Sequence, residues 1–185
     1  MDSPDKLIER LRAGEETTCK TFVRAHAVEL YGWLYRLTGC REDAEDLAQE
    51  AFAAFWQSIR RKIPSAEARI WLFAIARNVW RRHCRSRGRA PDSEHLASER
   101  TPSRTRSPHD VLEKEEAIQA IETALAELDI KIREVFSLRV WHGFTYMQIA
   151  AIQHVSPSLV RWRFFRARRH LRARLKGWLD RSEEQ

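Results

Sequence analysis

The sequence has no apolar run close to the roughly 18 residues that a membrane-spanning helix requires, and its first residues lack the charged-then-apolar pattern of a secretion signal. Its three cysteines stand singly, with no Cys-x-x-Cys spacing, which argues against a disulfide framework and against a structural zinc site. These absences predict a cytoplasmic protein that binds no metal, needs no cofactor and does not insert into a membrane. We expect Cys84 to be a small buried thiol.

The sequence also lacks strand-like alternation and internal repeats, whereas apolar residues recur at helical spacing through most of its length. Residues 88–111 interrupt this pattern, with three of the six prolines and a single large apolar residue, Leu96, before Val111. We therefore predict an all-α protein with two small helical domains, residues 1–87 and 112–185, joined by a flexible linker. Fully extended, this linker spans roughly 80 Å. Because two turns of duplex DNA cover about 70 Å, one chain can reach two DNA sites.

A strong basic bias marks the C-terminal third of the chain. The net charge is +7, the pI is near 9.8, and residues 161–176 contain eight basic residues and no acid, a balance that favours an anionic partner. Just before this run, Thr145 and Gln148 form a capping-box pattern at the start of one helix, and Ser156 and Pro157 can begin the next. This arrangement is typical of a helix-turn-helix that enters the major groove of DNA.

The second helix of this motif has two distinct sides at about 100° per residue. Its apolar side carries Val160, Phe164, Ala167, Leu171, Leu175 and Trp178. The opposite side, called the reading face below, carries Ser158, Arg161, Trp162, Phe165, Arg166 and Arg169, with Arg172 further along. Arginines can contact guanine edges or phosphates, and the two aromatic rings can contact thymine methyl groups or sugars. The alternative is that both rings pack on a neighbouring helix and the arginines are only solvated.

Two helical patterns supply the expected core of the N-terminal domain. The first runs over Cys19–Thr38, with apolar positions at Phe22, Ala25, Leu30, Trp33, Leu34 and Leu37. The second starts at Arg41, and its buried arc consists of Ala44, Leu47, Ala48, Ala51, Phe55 and Ile59.

The other side of this second helix carries a narrow polar arc, called the acidic face below: Asp43, Asp46, Gln49, Glu50 and Ala53. Acids in the first turn suit the helix dipole, so a solvated helix end explains part of the pattern. A concentrated acidic face in a basic protein is also a candidate docking surface for a partner protein. A third alternative is a metal-dependent nuclease, because carboxylates at i, i+3 and i+7 (Asp43, Asp46 and Glu50) can share a Mg²⁺ ion. No activating His accompanies them.

A further basic helix follows Pro64, and Ser65 can cap it. Its inward positions are expected to be Leu72, Ile75, Ala76 and Val79. Another side, called the basic strip below, consists of Trp71, Asn78, Arg81, Arg82 and Arg85. Arginines can hold a phosphate backbone, while aromatic and amide groups can receive an unstacked base. The alternative is an ordinary amphipathic helix with Trp71 at the margin of the core.

Three motifs stand in order along the chain. They are Asp43-Ala-Glu-Asp-Leu-Ala-Gln-Glu-Ala-Phe, Trp71-Leu-Phe-Ala-Ile-Ala-Arg-Asn, and Arg133-Glu-Val-Phe followed by Gly143-Phe-Thr-Tyr-Met-Gln-Ile-Ala. In sequence, order and spacing they resemble bacterial RNA polymerase sigma factors, specifically the extracytoplasmic-function (ECF) group. The resemblance covers nearly the whole chain outside the predicted linker.

This resemblance implies a transcription initiation factor and not an enzyme. It implies that the acidic face binds the clamp helices of the polymerase β′ subunit, with the β subunit as a further contact. The basic strip and the loop at residues 63–67 would recognise and open the −10 promoter element, with Asn78 near a flipped base, and the reading face would bind the −35 element. The linker would thread toward the polymerase active-site and RNA-exit channel, and an anti-sigma factor would be a further partner.

Three positions depart from the family pattern. His154 stands where Gly is usual in the turn of the helix-turn-helix, so we expect a left-handed backbone on a non-Gly residue. Trp162 replaces a small polar residue, and Asp129 replaces a frequent Pro before a helix that it can cap. The alternative function is a stand-alone helix-turn-helix regulator, which would leave the acidic face and the basic strip without a role.

Overall fold

The computed structural model describes residues 4–61, 67–87 and 118–182, with side chains described between residues 6 and 176. These residues form helices and turns, and no strand occurs among them, so the predicted all-α class is confirmed. The helices are α1 (Pro4–Arg12), α2 (Glu16–Thr38), α3 (Arg41–Arg61), α4 (Ala68–Ser86), α5 (described over residues 118–126), α6 (Ile130–Val140), α7 (Tyr146–Gln153) and α8 (Pro157–Ser182). The predicted linker lies outside the described residues.

Helices α1 to α4 surround a core rich in aromatic rings. Trp33 of α2, Phe55 of α3 and Phe73 of α4 are fully buried. Phe22 stacks on Phe55 with ring centroids 5.1 Å apart, and Trp33 tilts against Phe73 at 5.3 Å. Such pairs contribute about 0.5–1.5 kcal/mol beyond the area they bury. The arc predicted for α3 is confirmed, with Ala48 only half-buried and the rest buried: Ala44, Leu47, Ala51, Phe55 and Ile59.

One predicted core position in α2 is wrong. Ala25 is exposed, whereas the other predicted positions of this helix are buried: Phe22, Leu30, Trp33, Leu34 and Leu37. On a helical wheel Ala25 lies beyond the edge of the arc that these larger side chains occupy. The helix therefore faces the core with its aromatic and leucine side, and the small alanine gains nothing from burial there.

Helices α5 to α8 form the C-terminal half. A core of their own contains Ala124, Leu125, Ile132, Phe136, Ala167 and Leu171. The predicted apolar side of α8 is confirmed where side chains are described, because Val160, Ala167 and Leu171 are buried and Phe164 and Leu175 are half-buried. Trp178 of that side lies outside the described side chains.

The two halves pack against each other, which the sequence did not indicate. Ile149 and Ile152 of α7 belong to the same hydrophobic core as Phe73 and Val79 of α4. Phe144, just before α7, is fully buried and meets the ring of Phe73 edge-on at 4.9 Å. The helices that carry the basic strip and the helix-turn-helix therefore lie in direct contact.

Candidate nucleic-acid and protein interfaces

The reading face of α8 is open to solvent. Trp162 is 49% exposed and Phe165 is 63% exposed, and the rest of the face is exposed as well: Ser158, Arg161, Arg166 and Arg169. The Arg166 guanidinium lies over the Trp162 ring, 5.1 Å from its centroid. Because both rings point outward, the alternative in which they pack on a neighbouring helix does not hold among the described residues. The face presents cations beside aromatic surface, a combination that can contact DNA phosphates, base edges and thymine methyl groups.

The turn that positions α8 is built as the sequence predicts. Thr145 and Gln148 form the capping box, with Gln148 N donating to Thr145 Oγ1 at 3.2 Å and Thr145 N donating to Gln148 Oε1 at 2.8 Å. α8 begins at Pro157, and Ser156 Oγ accepts a hydrogen bond from Leu159 N at 3.3 Å. Together these bonds fix the first helix of the motif and the entry of the second.

His154 and Asp129 also have the predicted conformations. His154 ends α7 in the left-handed region, at φ 55° and ψ 49°, where a non-Gly residue costs about 1–2 kcal/mol. Asp129 caps α6, since its side chain accepts a hydrogen bond from Lys131 N at 2.8 Å. The backbone thus keeps the expected geometry at two of the three positions where the residue type departs from the family pattern, His154 and Asp129.

The basic strip of α4 is partly exposed and partly packed. Asn78, Arg82 and Arg85 are exposed, whereas Trp71 and Arg81 are half-buried. The indole Nε1 of Trp71 donates to Ser58 Oγ of α3 at 2.9 Å. This bond fixes the ring at the margin between α3 and α4.

The start of α4 is only partly described. The helix begins at Ala68, and Glu67 precedes it without a side-chain capping bond. Ser65, which was predicted to cap the helix, and residues 63–66 of the predicted −10 loop lie outside the described residues. The inward positions predicted for α4 are confirmed in part, because Leu72, Ala76 and Val79 are buried and Ile75 is half-buried; Cys84 is buried, as predicted.

The acidic face of α3 is exposed except at Asp43. Asp46, Gln49, Glu50 and Ala53 are open to solvent. The Asp43 side chain is only 14% exposed, and its carboxylate lies beside the Arg87 guanidinium and 3.6 Å from Nε2 of His83. Asp43 therefore pairs with side chains of the same protein at the end of α4.

Ion pairs join the acidic face to α4 and to Arg87 just after it, and one of them involves the basic strip. Arg82 of α4 donates a hydrogen bond to Glu50 of α3, and Arg87 donates two to Asp43, at 2.8 and 2.9 Å. The acidic face and the basic strip thus lie side by side on neighbouring helices. Ligands bound to the two surfaces would be neighbours in space.

Sequence reasoning missed a buried polar chain between the two halves. Arg77 Nε of α4 donates to Glu134 Oε2 of α6 at 2.9 Å, and Gln153 Nε2 donates to the same oxygen at 2.7 Å. Arg163 of α8 donates to Gln153 Oε1 at 2.6 Å. The Glu134 side chain is 1% exposed; burial raises the pKa of its carboxyl, and the charge and hydrogen bond of Arg77 oppose that rise.

The sequence contains one signal of this buried hydrogen-bond network, at Arg77. On a helical wheel Arg77 falls between Ile70, Phe73 and Trp80, all of which are buried. A cation within an apolar arc requires a buried partner, because an unpaired buried charge is costly. The wheel predicts that a partner exists, but it does not identify Glu134, which lies 57 residues away.

A second polar bridge crosses between the halves at Arg69. Its guanidinium pairs with Glu29 of α2, donates to the backbone oxygen of His142 at 2.6 Å, and lies 3.9 Å from the ring centroid of Phe144. Burial alone would raise the pKa of Glu29, but the hydrogen bond and charge of Arg69 outweigh it and lower that pKa. Burial lowers the pKa of His142, whose Nδ1 lies 3.3 Å from Glu29 Oε1.

The carboxylates of the acidic face form no metal site. Among the described residues, no group of three or more His, Cys, Asp or Glu side chains is placed to hold a metal ion. Asp43 and Glu50 are instead engaged by Arg87 and Arg82. This arrangement gives no support to a metal-dependent nuclease. Within the described part of the chain, every helix is too short or too polar to cross a membrane.

Comparison with known proteins identifies the family. The sigma-70 region 2 model matches residues 22–90, and the sigma-70 region 4 model matches residues 118–171. The ECF RNA polymerase sigma factor SigL of Mycobacterium tuberculosis is 31% identical over 170 residues, which cover 89% of this chain and 92% of SigL. The chain belongs to the ECF RNA polymerase sigma factors. The RNA polymerase sigma-H factor of Pseudomonas aeruginosa is 25% identical over 175 residues, covering 90% of this ECF sigma factor and 91% of sigma-H.

Solved structures agree with this assignment. The sigma factor RpoE from Bartonella quintana, in complex with the anti-sigma factor NepR, has a TM-score of 0.69 and 25% identity, covering 85% of this chain and 96% of RpoE. CnrH, in complex with the cytosolic domain of CnrY, has the same fold, with a TM-score of 0.69 and 24% identity over 95% of this chain and 99% of CnrH. Together these comparisons support an ECF sigma factor over a stand-alone helix-turn-helix regulator.

Proposed function

We propose that this ECF sigma factor works through three separate surfaces: the acidic face binds core RNA polymerase, the basic strip opens the −10 element, and the reading face binds the −35 element. The observation that carries the proposal is that one folded chain of this family exposes most residues of all three surfaces. The comparisons support the family, and the roles of individual residues are our inference. The corresponding division is residues 1–87, the linker 88–111, and residues 112–185.

The acidic face suits a basic or polar helical partner. We propose that this partner is the pair of clamp helices of the β′ subunit. Asp46 presents its charge to solvent, and Glu50 is exposed although it pairs with Arg82; Gln49 and Ala53 lie beside them. The small Ala53 side chain allows close approach of a partner helix. The β subunit would provide a second contact, and the linker would thread toward the active-site and RNA-exit channel.

The basic strip suits a DNA strand that is losing its base pairs. Arg82 and Arg85 can hold phosphates, while Asn78 offers donors and an acceptor to a base edge. The Trp71 ring lies on the same side of α4, about two or more turns before these residues; Ser58 holds it there, and it offers a stacking surface. Capture of unstacked bases offsets the few kcal/mol that unpairing costs.

The mechanism requires binding energy and no covalent step. Binding of the −35 element by the reading face positions the polymerase, and base capture at the −10 element then favours the melted state. We therefore propose a transcription initiation factor that is not an enzyme, acts in the cytoplasm, uses no cofactor and is restrained by an anti-sigma factor. The last partner is suggested by the complexes in which RpoE and CnrH were solved.

The reading face is tested by Arg161→Ala and Arg166→Ala, with Arg174→Ala as a control on the same helix. Arg174 is exposed and lies on another side of α8, about 80° beyond Arg166 on a helical wheel. With core polymerase and a promoter selected from a library, either reading-face variant should lower promoter-specific transcription roughly tenfold or more, because a bidentate base contact contributes about 1–3 kcal/mol. Core binding should stay unchanged. Loss of core binding with unaltered promoter choice would refute the assignment.

The docking surface is tested by Asp46→Lys combined with Glu50→Lys. A matched control carries the same charge change on another surface, Glu9→Lys with Glu16→Lys, since both residues are exposed. Only the first pair should abolish association with core polymerase in a pull-down. Normal association of that double variant would refute the docking role. Tight promoter binding by the unaltered chain without polymerase, in a gel-shift assay, would favour a stand-alone regulator.

A further inference from the structure

The centre of the reading face is mainly aromatic in the first turns of α8. Arg161 and Arg166 lie at the two edges of this part of the face, about 140° apart on a helical wheel. Ser158, Trp162 and Phe165 lie between them, and all three are exposed. The first turns of a recognition helix are the part that contacts base edges in the major groove. The bases that face the centre of α8 therefore meet one hydroxyl group and two rings.

Trp162 holds Arg166 close to this centre. The two residues are four positions apart, so their side chains are neighbours, and a long side chain on a helix points back toward the N-terminus. The Arg166 guanidinium lies over the indole, 5.1 Å from the ring centroid. Since Trp162 is 49% exposed, the pair offers DNA an apolar surface and a set of hydrogen-bond donors side by side.

These two groups match two different bases. The guanidinium can donate two hydrogen bonds to O6 and N7 of a guanine, whereas the ring can contact the methyl group that distinguishes thymine in the major groove. Successive base pairs are about 3.4 Å apart along the duplex. The separation of 5.1 Å between cation and ring centroid therefore fits one base-pair step with a sideways offset, and it is shorter than two steps. The pair suits a thymine and a guanine in adjacent base pairs.

We propose that Trp162 determines the −35 sequence that this sigma factor selects: its ring contacts the methyl group of a thymine and positions Arg166 for a guanine in the adjacent base pair. The inference rests on the proposed function, because it requires that the reading face binds the −35 element. A contact of the ring with deoxyribose alone would give no such selection, since sugars carry no sequence information.

The thymine contact is tested by removing one methyl group from the DNA. Core polymerase with the full chain first selects its −35 element from promoters that are random at that element. Each thymine of the selected element is then replaced in turn by deoxyuridine, which lacks only the 5-methyl group. At one position this replacement should weaken promoter binding about fourfold, the contribution of one buried methyl group. With Trp162→Ala, thymine and deoxyuridine at that position should bind equally.

Phe165→Ala is the matched control, since it removes another exposed ring of the same face. It should keep the difference between thymine and deoxyuridine at the position that depends on Trp162. A difference that persists in Trp162→Ala, or a selected element in which no methyl group matters, would overturn the proposal. Because Trp162 is exposed and Ala favours helix, the variant should stay folded, which circular dichroism verifies.

The positioning of Arg166 is tested at the adjacent guanine. Replacing that guanine by 7-deazaguanine removes the N7 acceptor and should weaken binding by the unaltered chain about three- to tenfold. Arg166→Ala should abolish this effect and keep the thymine effect, whereas Trp162→Ala should reduce both. Trp162→Phe keeps a ring beside the guanidinium and should restore most of the guanine effect. An equal guanine effect in the unaltered chain and in Trp162→Ala would overturn the positioning role.

These results separate the inference from the proposed function. If no −35 element is selected, the reading face does not bind one, and the proposed function fails together with the inference. If an element is selected and Arg161→Ala weakens transcription from it, but Trp162→Ala responds to deoxyuridine as the unaltered chain does, only the inference fails.

Discussion

Arg87 donates two hydrogen bonds to Asp43, from Nη1 at 2.8 Å and from Nη2 at 2.9 Å, across 44 residues of sequence. The pair closes the end of α4 onto the start of α3, and the Arg87 side chain is 47% exposed. A bidentate pair has specific geometry, but solvent and salt screen a pair that is this open. Its contribution to stability is therefore modest and sensitive to salt.

We expect Arg87→Ala to lower the free energy of unfolding by about 0.5 kcal/mol at low salt. The loss should vanish in about 1 M NaCl, where the Debye length falls to about 3 Å. Urea denaturation at both salt concentrations measures this. Arg85→Ala is the control, because Arg85 is exposed and has no ion pair with the described residues. An equal loss for both variants would show that the pair itself contributes nothing.

Whether a structural feature could be predicted from the sequence depends on how far apart in sequence the interacting residues are. The capping box of Thr145 and Gln148, the cap at Asp129 and the left-handed His154 involve residues a few positions apart, and each was predicted. Helical periodicity likewise placed the reading face on the exposed side of α8. These features follow from local backbone geometry, which sequence spacing specifies.

The pairing of surfaces could not be predicted in the same way. Periodicity places Glu50 and Arg82 on the polar sides of two helices, but it does not show that those sides meet. Nor does it pair Arg77 with Glu134 or Phe73 with Phe144, because these contacts depend on how the two halves pack. Composition predicted a linker between separate domains, and the contact between them depends on shape complementarity that composition does not contain.

The packing between the two halves contributes to the free energy of unfolding, and this contribution can be measured by comparing two Phe→Ala substitutions. Phe144 is fully buried against Phe73 and Arg69, whereas Phe165 is 63% exposed on α8. Phe144→Ala should lower the free energy of unfolding by about 3–5 kcal/mol, through lost burial and a residual cavity. Phe165→Ala should change it by no more than about 0.5 kcal/mol. Urea denaturation compares them, and similar losses would mean that the Phe144 contact is not stably formed in solution.

His154 offers a substitution that should stabilise the protein. It adopts φ 55° at the end of α7, a conformation that Gly adopts without a Cβ clash. His154→Gly should raise the free energy of unfolding by about 0.5–1 kcal/mol, after allowance for the greater freedom of Gly in the unfolded chain. For a protein of this size the melting temperature should rise by about 1–4 °C.

The matched control for His154 is Gly39, which ends α2 in the same region of backbone conformation, at φ 67°. Gly39→Ala should lower the melting temperature, because it introduces the strain that His154→Gly removes. Thermal unfolding followed by circular dichroism measures both. If His154→Gly lowered the melting temperature, an interaction of the imidazole would have to outweigh its backbone strain.

The buried His142 should make stability depend on pH near neutrality. Burial lowers its pKa below the ordinary 6.5; Glu29 of α2 opposes this shift, whereas Arg36 of α2 and Arg69 of α4 add to it. The folded state therefore favours the neutral ring, and the unfolded chain binds the proton first as the pH falls. The contribution of His142 to stability is fully present above the pKa of its ring in the unfolded chain. It is lost as the pH falls from about 6.5 through the lower pKa of the ring in the folded chain.

His142→Asn should flatten this dependence, because the amide keeps a donor toward Glu29 but does not titrate. Other groups also contribute: burial lowers the pKa of His26, which adds to the loss at low pH, and raises that of Glu134, which opposes it. The informative quantity is therefore the difference between the unaltered chain and the variant, from about pH 7.5 to about pH 5.5, in which these contributions cancel. A difference that stays constant across that range would show that the pKa of His142 is the same in the folded and the unfolded chain.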